Sequence, residues 1–281
     1  MSMKVDAHQH FWRLADRQGA WPPPELAAIY RDFGPADLDD ARRTAGIDAT
    51  VLVQSMPTRA DTDWMLAVAD ATPWVRGVVG WVDFKAPDAP AQIEQLARHP
   101  KLKGLRPMLQ DLPDDDWIAD PATAPAAEAM VRHGLVFDAL VLPRQLPGLL
   151  SFARRHPMLR LVIDHAAKPL IARGEIEPWQ QDMAQLAALP QVQCKLSGLL
   201  TEAGERCDAA SLRPYVQLLW QFFGPQRLLW GSDWPVLRLA GDYAGWWQLA
   251  HDILESLDPA PTAADVEAVF GGNAAQAYGL L

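Results

Sequence analysis

Cysteine is scarce in this chain: Cys194 and Cys207 are the only two among 281 residues, too few for a disulfide framework. No apolar run reaches the ~18 residues that cross a bilayer, and no apolar leader of the secretory kind precedes Lys4. Both absences lead us to expect a cytoplasmic protein. Positive charge is also in short supply. With 25 Lys and Arg against 35 Asp and Glu, the formal net charge is −10, the wrong sign for nucleic acid or an anionic membrane, which need clustered cations. The Gly-x-Gly-x-x-Gly turn of a dinucleotide fold is missing. So are internal repeats, low-complexity tracts and any linker long enough to divide the chain.

What remains is an enzyme-sized globule. Hydrophobic residues at 49% and charged residues at 21% are ordinary for a folded domain. The 12 Trp exceed core needs, which suggests rings lining a pocket.

Eight β-rich segments recur, over 4–11, 49–54, 75–84, 102–108, 135–142, 160–165, 192–196 and 227–231. Helical stretches alternate with them, over 35–45, 62–71, 91–98, 123–133, 146–156, 179–188 and 211–223. Eight parallel βα units close most economically as a (β/α)8 barrel, here one domain over residues 1–281. The Trp21-Pro22-Pro23-Pro24 stretch then reads as an ordered loop over the barrel mouth.

Two histidines one residue apart, His8 and His10 in Val5-Asp6-Ala7-His8-Gln9-His10-Phe11, lie on the first strand. Strand side chains alternate faces, so both imidazoles converge, and strict alternation puts Asp6 on the same face. Barrel catalysts sit at the C-terminal ends of strands. Polar groups occur there repeatedly: Arg106 after strand four, Asp138 after five, Asp164 and His165 after six, Lys195 and Ser197 after seven, Asp233 after eight. His8, His10, His165 and Asp233 form a ligand set for one divalent ion, zinc foremost. Asp233 is placed to accept a proton from water. Arg106 and Lys195 are candidates to hold an anionic intermediate or an acid product, and the competing reading is an internal salt bridge with Asp138 or Asp164.

Taken together, Asp6-Ala7-His8-Gln9-His10-Phe11-Trp12, Gly77-Val78-Val79-Gly80-Trp81-Val82-Asp83, Lys103-Gly104-Leu105-Arg106-Pro107, Asp164-His165-Ala166-Ala167-Lys168-Pro169, Cys194-Lys195-Leu196-Ser197-Gly198-Leu199, Gly231-Ser232-Asp233-Trp234-Pro235 and Gly272-Asn273-Ala274 resemble the amidohydrolase-related TIM-barrel hydrolases, sugar-lactonase branch. The resemblance runs from residue 4 to residue 279. It implies hydrolysis of an aldonolactone, such as L-fuconolactone or L-rhamnonolactone, to its sugar acid. It also implies metal positions at His8, His10, His165 and Asp233, with Asp233 as general base. His165 is an alternative acid for the leaving alkoxide. Many members of the wider family carry a lysine on strand four and a histidine on strand five; Arg106 and Asp138 stand there, so a single, loosely held or dispensable ion is expected. Trp12, Trp81, Trp234 and Ser197 are the expected substrate contacts, with Trp117 a further candidate wall. The partner is a small sugar lactone, with no nucleic acid and no membrane; self-association into a homo-oligomer stays open. Two alternatives are a metal-dependent decarboxylase of the same superfamily and a non-catalytic sugar-acid binding protein.

Overall fold

In the computed structural model, which describes residues 3–17 and 19–281, eight parallel strands pair in chain order. They are β1 (Val5–Gln9), β2 (Ala49–Val53), β3 (Val75–Gly80), β4 (Leu102–Leu105), β5 (Val136–Ala139), β6 (Leu161–Ile163), β7 (Val192–Leu196) and β8 (Leu228–Trp230). The seam between β8 and β1 is shut just beyond the end of β8. There the Asp233 amide donates to the His8 carbonyl (2.8 Å) and the His10 amide to the Trp234 carbonyl (2.7 Å). The architecture is a (β/α)8 barrel, as expected. Helices α1 (Pro35–Thr44), α2 (Arg59–Ala71), α3 (Ala89–Ala97), α4 (Ala124–Arg132), α5 (Leu146–Arg155), α6 (Trp179–Ala187) and α7 (Ala209–Phe223) match the expected stretches within three residues. After β8 come α8 (Tyr243–Glu255), α9 (Ala263–Glu267), a π-helical turn and α10 (Asn273–Ala277). None of the described helices is long and apolar enough to cross a membrane.

Strands are shorter than the sequence pattern suggests. The 75–84 segment stops being β at Gly80, so Trp81 and Asp83 lie in the loop that follows; the Asp83 carboxylate accepts from the Lys85 amide (3.0 Å) and turns the chain.

The larger correction concerns β1. Asp6 does not share a face with the histidines. The register runs Val5 to Ala49 and Asp6 to Thr50, but then Gln9 to Leu52, so β1 carries one surplus residue between Asp6 and Gln9. A bulge of this kind resets side-chain alternation. Upstream of it Val5 joins Val51, Val53, Val79, Val136, Val162 and Leu229 in the barrel interior, and Asp6 points outward to the Tyr243 hydroxyl of α8 (3.0 Å). Downstream, His8 and His10 turn inward.

Two apolar layers hold this frame. The larger packs helices against the outer strand faces, with Phe137, Ile163, Leu196 and Trp230 fully buried. The smaller fills the barrel and is capped from below by Ala274, Ala275, Tyr278 and Leu280. Strand-start cations secure that cap: Arg160 Nη1 donates to the Ala277 carbonyl (2.8 Å) and Lys103 Nζ to that of Gly279 (3.0 Å). From the floor, the Tyr278 hydroxyl reaches up to donate to Asp138 (2.8 Å).

Candidate active site

Three strands, β1, β6 and β8, deliver the expected ligand set to one point. Asp233 Oδ1 lies 3.2 Å from His10 Nε2, 3.7 Å from His8 Nε2 and 3.8 Å from His165 Nε2. His8 Nε2 and His10 Nε2 are 3.1 Å apart. Ligand atoms on a tetrahedral zinc, with bonds of about 2.0–2.1 Å, sit roughly 3.4 Å from one another. The ligand atoms of His8, His165 and Asp233 lie within 4.8 Å of one another, and His10 Nε2 is within 3.2 Å of those of His8 and Asp233, so the set suits such an ion in kind. Each outer ring nitrogen is held as metal-ligating imidazoles are held: His10 Nδ1 against the Val53 carbonyl (2.7 Å) and His165 Nδ1 against Ser197 Oγ (2.9 Å).

Burial keeps His8 and His165 neutral, pushing His165 down to about 4 and His8 well below its ordinary value. For Asp233 burial alone would raise the carboxyl. His165, a hydrogen bond from His10 and the nearby His8 outweigh that and hold it below the usual carboxylate range.

The backbone here is strained. His165, Ala166, Ala167 and Lys168 have φ of 52°, 51°, 58° and 53°, and Asp233 has 56°. Left-handed conformation costs an L-residue about 1–2 kcal/mol each, and such strain tends to collect at functional sites. Trp179 Nε1 clamps the turn through the Ala166 carbonyl (2.7 Å). Gly198, itself at φ 63°, leaves the room His165 occupies, since a Cβ there would lie 2.6 Å from His165 Nδ1. We expect Gly198→Ala to displace the His165 ring, lowering kcat/KM at least ten-fold and stability by about 1–3 kcal/mol. Steady-state kinetics with chemical denaturation checks this; unchanged kinetics would remove the packing argument.

A cavity of about 460 Å³ opens over the cluster, lined by His10, Arg106, His165 and Asp233 and, further out, by Trp21, Lys168 and Glu202. Arg106 lies on its wall, its Nη1 donating to Asp164 Oδ2 (3.0 Å) while its Nε is buried without a protein partner. Lys195 is elsewhere. It is fully buried beneath His8, 2.5 Å from Asp138 Oδ2 and 2.9 Å from Asp164 Oδ1, which is the salt-bridge reading and not a cavity-facing cation. Of the expected substrate contacts, Ser197 supports His165. Trp12 and Trp234 pack into an aromatic cluster around Phe33, at 5.4 and 5.2 Å between ring centroids. Neither they, Trp81 nor Trp117 line the cavity.

The wall residues that sequence reasoning passed over are Trp21, Gln110, Asp111, Thr201 and the Lys168–Glu202 ion pair (3.2 Å). Only the left-handed turn, invisible in residue identities, brings Lys168 to the same cavity as His165.

Just outside, Asp6 accepts from the Ser232 amide (2.8 Å) and the His8 amide (3.1 Å), tying β8 to β1. Burial outweighs these bonds and pushes its carboxyl up to about 6. Because the folded value lies above the unfolded 3.8, this group favours the fold most below pH 4 and loses that contribution as pH rises through 6. Asp6→Asn should therefore gain stability relative to wild type between pH 4 and 7, by roughly 3 kcal/mol from the size of the shift. Parallel denaturation curves in that window would refute it.

Known proteins can now be set beside this geometry. A family described as amidohydrolase matches residues 5–280. The chain is 56% identical over 282 residues to an L-fucono-1,5-lactonase of Burkholderia ambifaria, covering 99% of this chain and 96% of that protein. It is 37% identical over 290 residues to an L-fucono-1,5-lactonase of Burkholderia multivorans, covering 99% and 97%. The crystal structure of an amidohydrolase from Burkholderia multivorans with bound zinc superposes with a TM-score of 0.91 at 35% identity, covering 100% of both chains.

Proposed function

The chain belongs to the amidohydrolase family, and from that membership we propose that it hydrolyses a sugar lactone, L-fucono-1,5-lactone first, to the open sugar acid. The observation that carries the reading is the convergence of three imidazoles on one ionised carboxylate beneath a sugar-sized cavity, in a chain 56% identical to a named lactonase. Identity to two lactonases is also why the decarboxylase reading is not favoured.

Chemically, lactone opening needs a base for water, a counter-charge for the oxyanion and a proton for the departing ring oxygen. Asp233 takes the proton as water attacks the carbonyl carbon. Arg106, with a guanidinium on the cavity wall, stabilises the charge that builds on the carbonyl oxygen. The ring C–O bond then breaks and the proton passes to the ring oxygen, giving hydroxyl and carboxylate with no other reactant. One divalent ion held by His8, His10, His165 and Asp233, zinc foremost, would add Lewis-acid polarisation of the carbonyl. The Lys168–Glu202 pair supplies a donor and an acceptor for sugar hydroxyls. Trp21, 37% exposed, offers a ring to the C–H face, and Met108, Leu140 and Leu239 give the cavity an apolar side suited to a 6-deoxy methyl group.

A lactone panel followed by a pH indicator, with and without chelator, tests this. Acid release should be fastest from L-fucono-1,5-lactone; no acid from any aldonolactone would overturn the proposal.

A further inference from the structure

Trp21 reaches the cavity wall from the long loop after β1, and its own stretch of backbone does little to hold it there. The three residues that follow it, Pro22, Pro23 and Pro24, have no amide hydrogen to give to a neighbouring segment. The loop is pinned at its base, where Trp12 and Phe33 exchange backbone hydrogen bonds (3.0 and 2.9 Å), well before and well after Trp21 in the chain.

What holds the ring is Arg17. Its Nη1 donates to the Trp21 carbonyl (2.7 Å) and its Nη2 to Ser55 Oγ (2.5 Å). The guanidinium also lies 5.0 Å from the centroid of Trp12 and 5.8 Å from that of Trp21, and the two indoles meet edge to face at 5.2 Å. Trp12 is fixed in turn by its Nε1, which donates to the Arg31 carbonyl (2.8 Å). Ser55 stands two residues past β2, and its amide donates to Asp61 Oδ2 of α2 (3.4 Å), so the anchor belongs to the barrel itself. Ser55 and Trp21 both line the cavity; one guanidinium joins these two parts of its wall.

The arrangement is a costly one. Arg17 is 3% exposed, and burial, against the pull of Asp61 and Asp16, lowers its pKa to about 10, which leaves it charged at neutral pH. An apolar side chain would fill the same space without desolvating a charge. What arginine adds is a planar fork that donates in two directions while it stacks on aromatic rings.

We propose that Arg17 is a positioning residue for the substrate: without lining the cavity itself, it fixes the Trp21 indole where the C–H face of a lactone ring packs on it. Arg17 thereby governs affinity and leaves the chemistry to Asp233 and Arg106. The inference rests on the lactonase reading above for the identity of the ring that Trp21 meets.

Steady-state kinetics on L-fucono-1,5-lactone with Arg17→Met, Trp21→Ala and the double variant supply the first readout. Arg17→Met should raise KM about ten-fold with kcat within about three-fold of wild type, the mark of lost binding that ground and transition states share. The double variant should be no worse than Trp21→Ala alone, because both changes act through one ring. A merely structural Arg17 would lower kcat and add its loss to that of Trp21→Ala. Fluorine NMR of protein labelled with 5-fluorotryptophan gives a second readout that needs no turnover. The Trp21 line, assigned by its loss in Trp21→Phe, should shift in Arg17→Met, while the lines of the buried Trp230 and Trp246 stay in place and report an intact barrel. A KM within two-fold of wild type, additive losses in the double variant or an unmoved Trp21 line each overturns the proposal. Should Arg17→Met fail to fold, Arg17→Lys, which keeps the charge but not the fork, carries the same expectations. If the wild type releases acid from no aldonolactone, the lactonase reading falls, and the Trp21 line alone decides whether Arg17 anchors this wall.

Discussion

Replacing Asp233 with Asn should lower kcat/KM for L-fucono-1,5-lactone by about 10³-fold or more, the size of effect expected when a general base is removed, while Tm changes little. The amide keeps the volume and can still accept from His10, so the packing survives. It cannot take a proton from water, and it removes the one negative charge that three imidazole nitrogens face within 3.8 Å. Asn is also among the few residues that tolerate the left-handed conformation Asp233 adopts at φ 56°. Loss of activity is thereby separated from loss of fold. Kinetics alongside a thermal melt decides the matter: a correctly folded variant keeping more than a tenth of wild-type kcat/KM would show that another group activates the water.

The largest expected effect on stability lies below the cavity. Lys195 is 0% exposed and neutralises two carboxylates that are also 0% exposed. Burial and the neighbouring Asp164 push the Asp138 carboxyl up to about 6 against the pull of Lys195. Asp164 is held well below the usual range by Lys195, His8 and Arg106, which together overcome its burial. Removing the shared cation strands both acids in the core. Breaking such a pair from one side costs about 3–5 kcal/mol, so Lys195→Met should lose that much in urea denaturation at pH 7. Adding Asp138→Asn should recover a substantial part, because Asn still accepts from Tyr278 and leaves one fewer charge unpaired. The double-mutant cycle gives the coupling; a Lys195→Met protein within 1 kcal/mol of wild type would show that the network contributes little.

Much of this was legible in the sequence because strand period, helix period and the polar residues ending each strand agree with one another. The pattern of eight βα units by itself puts His8, His10, Arg106, His165 and Asp233 at one mouth. Three things were not legible, each for a physical reason. The face of Asp6 depends on a pairing register, which is a property of two strands and not of one. The position of Lys168 depends on four consecutive left-handed residues, none of them glycine, which residue preferences argue against. The roles of Trp12 and Trp234 depend on which rings the long loop after β1 brings together; that loop buries both and leaves Trp21 facing the cavity.

The surplus residue in β1 behaves like a frame setting within a five-residue strand. Upstream of it the strand is written for the scaffold, with valine and alanine inward. Downstream it is written for chemistry, with imidazoles inward. Plain alternation over the same residues would keep Val5 and Ala7 inward and turn both histidines toward the helices; the bulge lets all four face the barrel while Asp6 stays outside. A scaffold strand and a catalytic strand are thus joined at this point by a single irregularity of pairing, and the same five residues serve both.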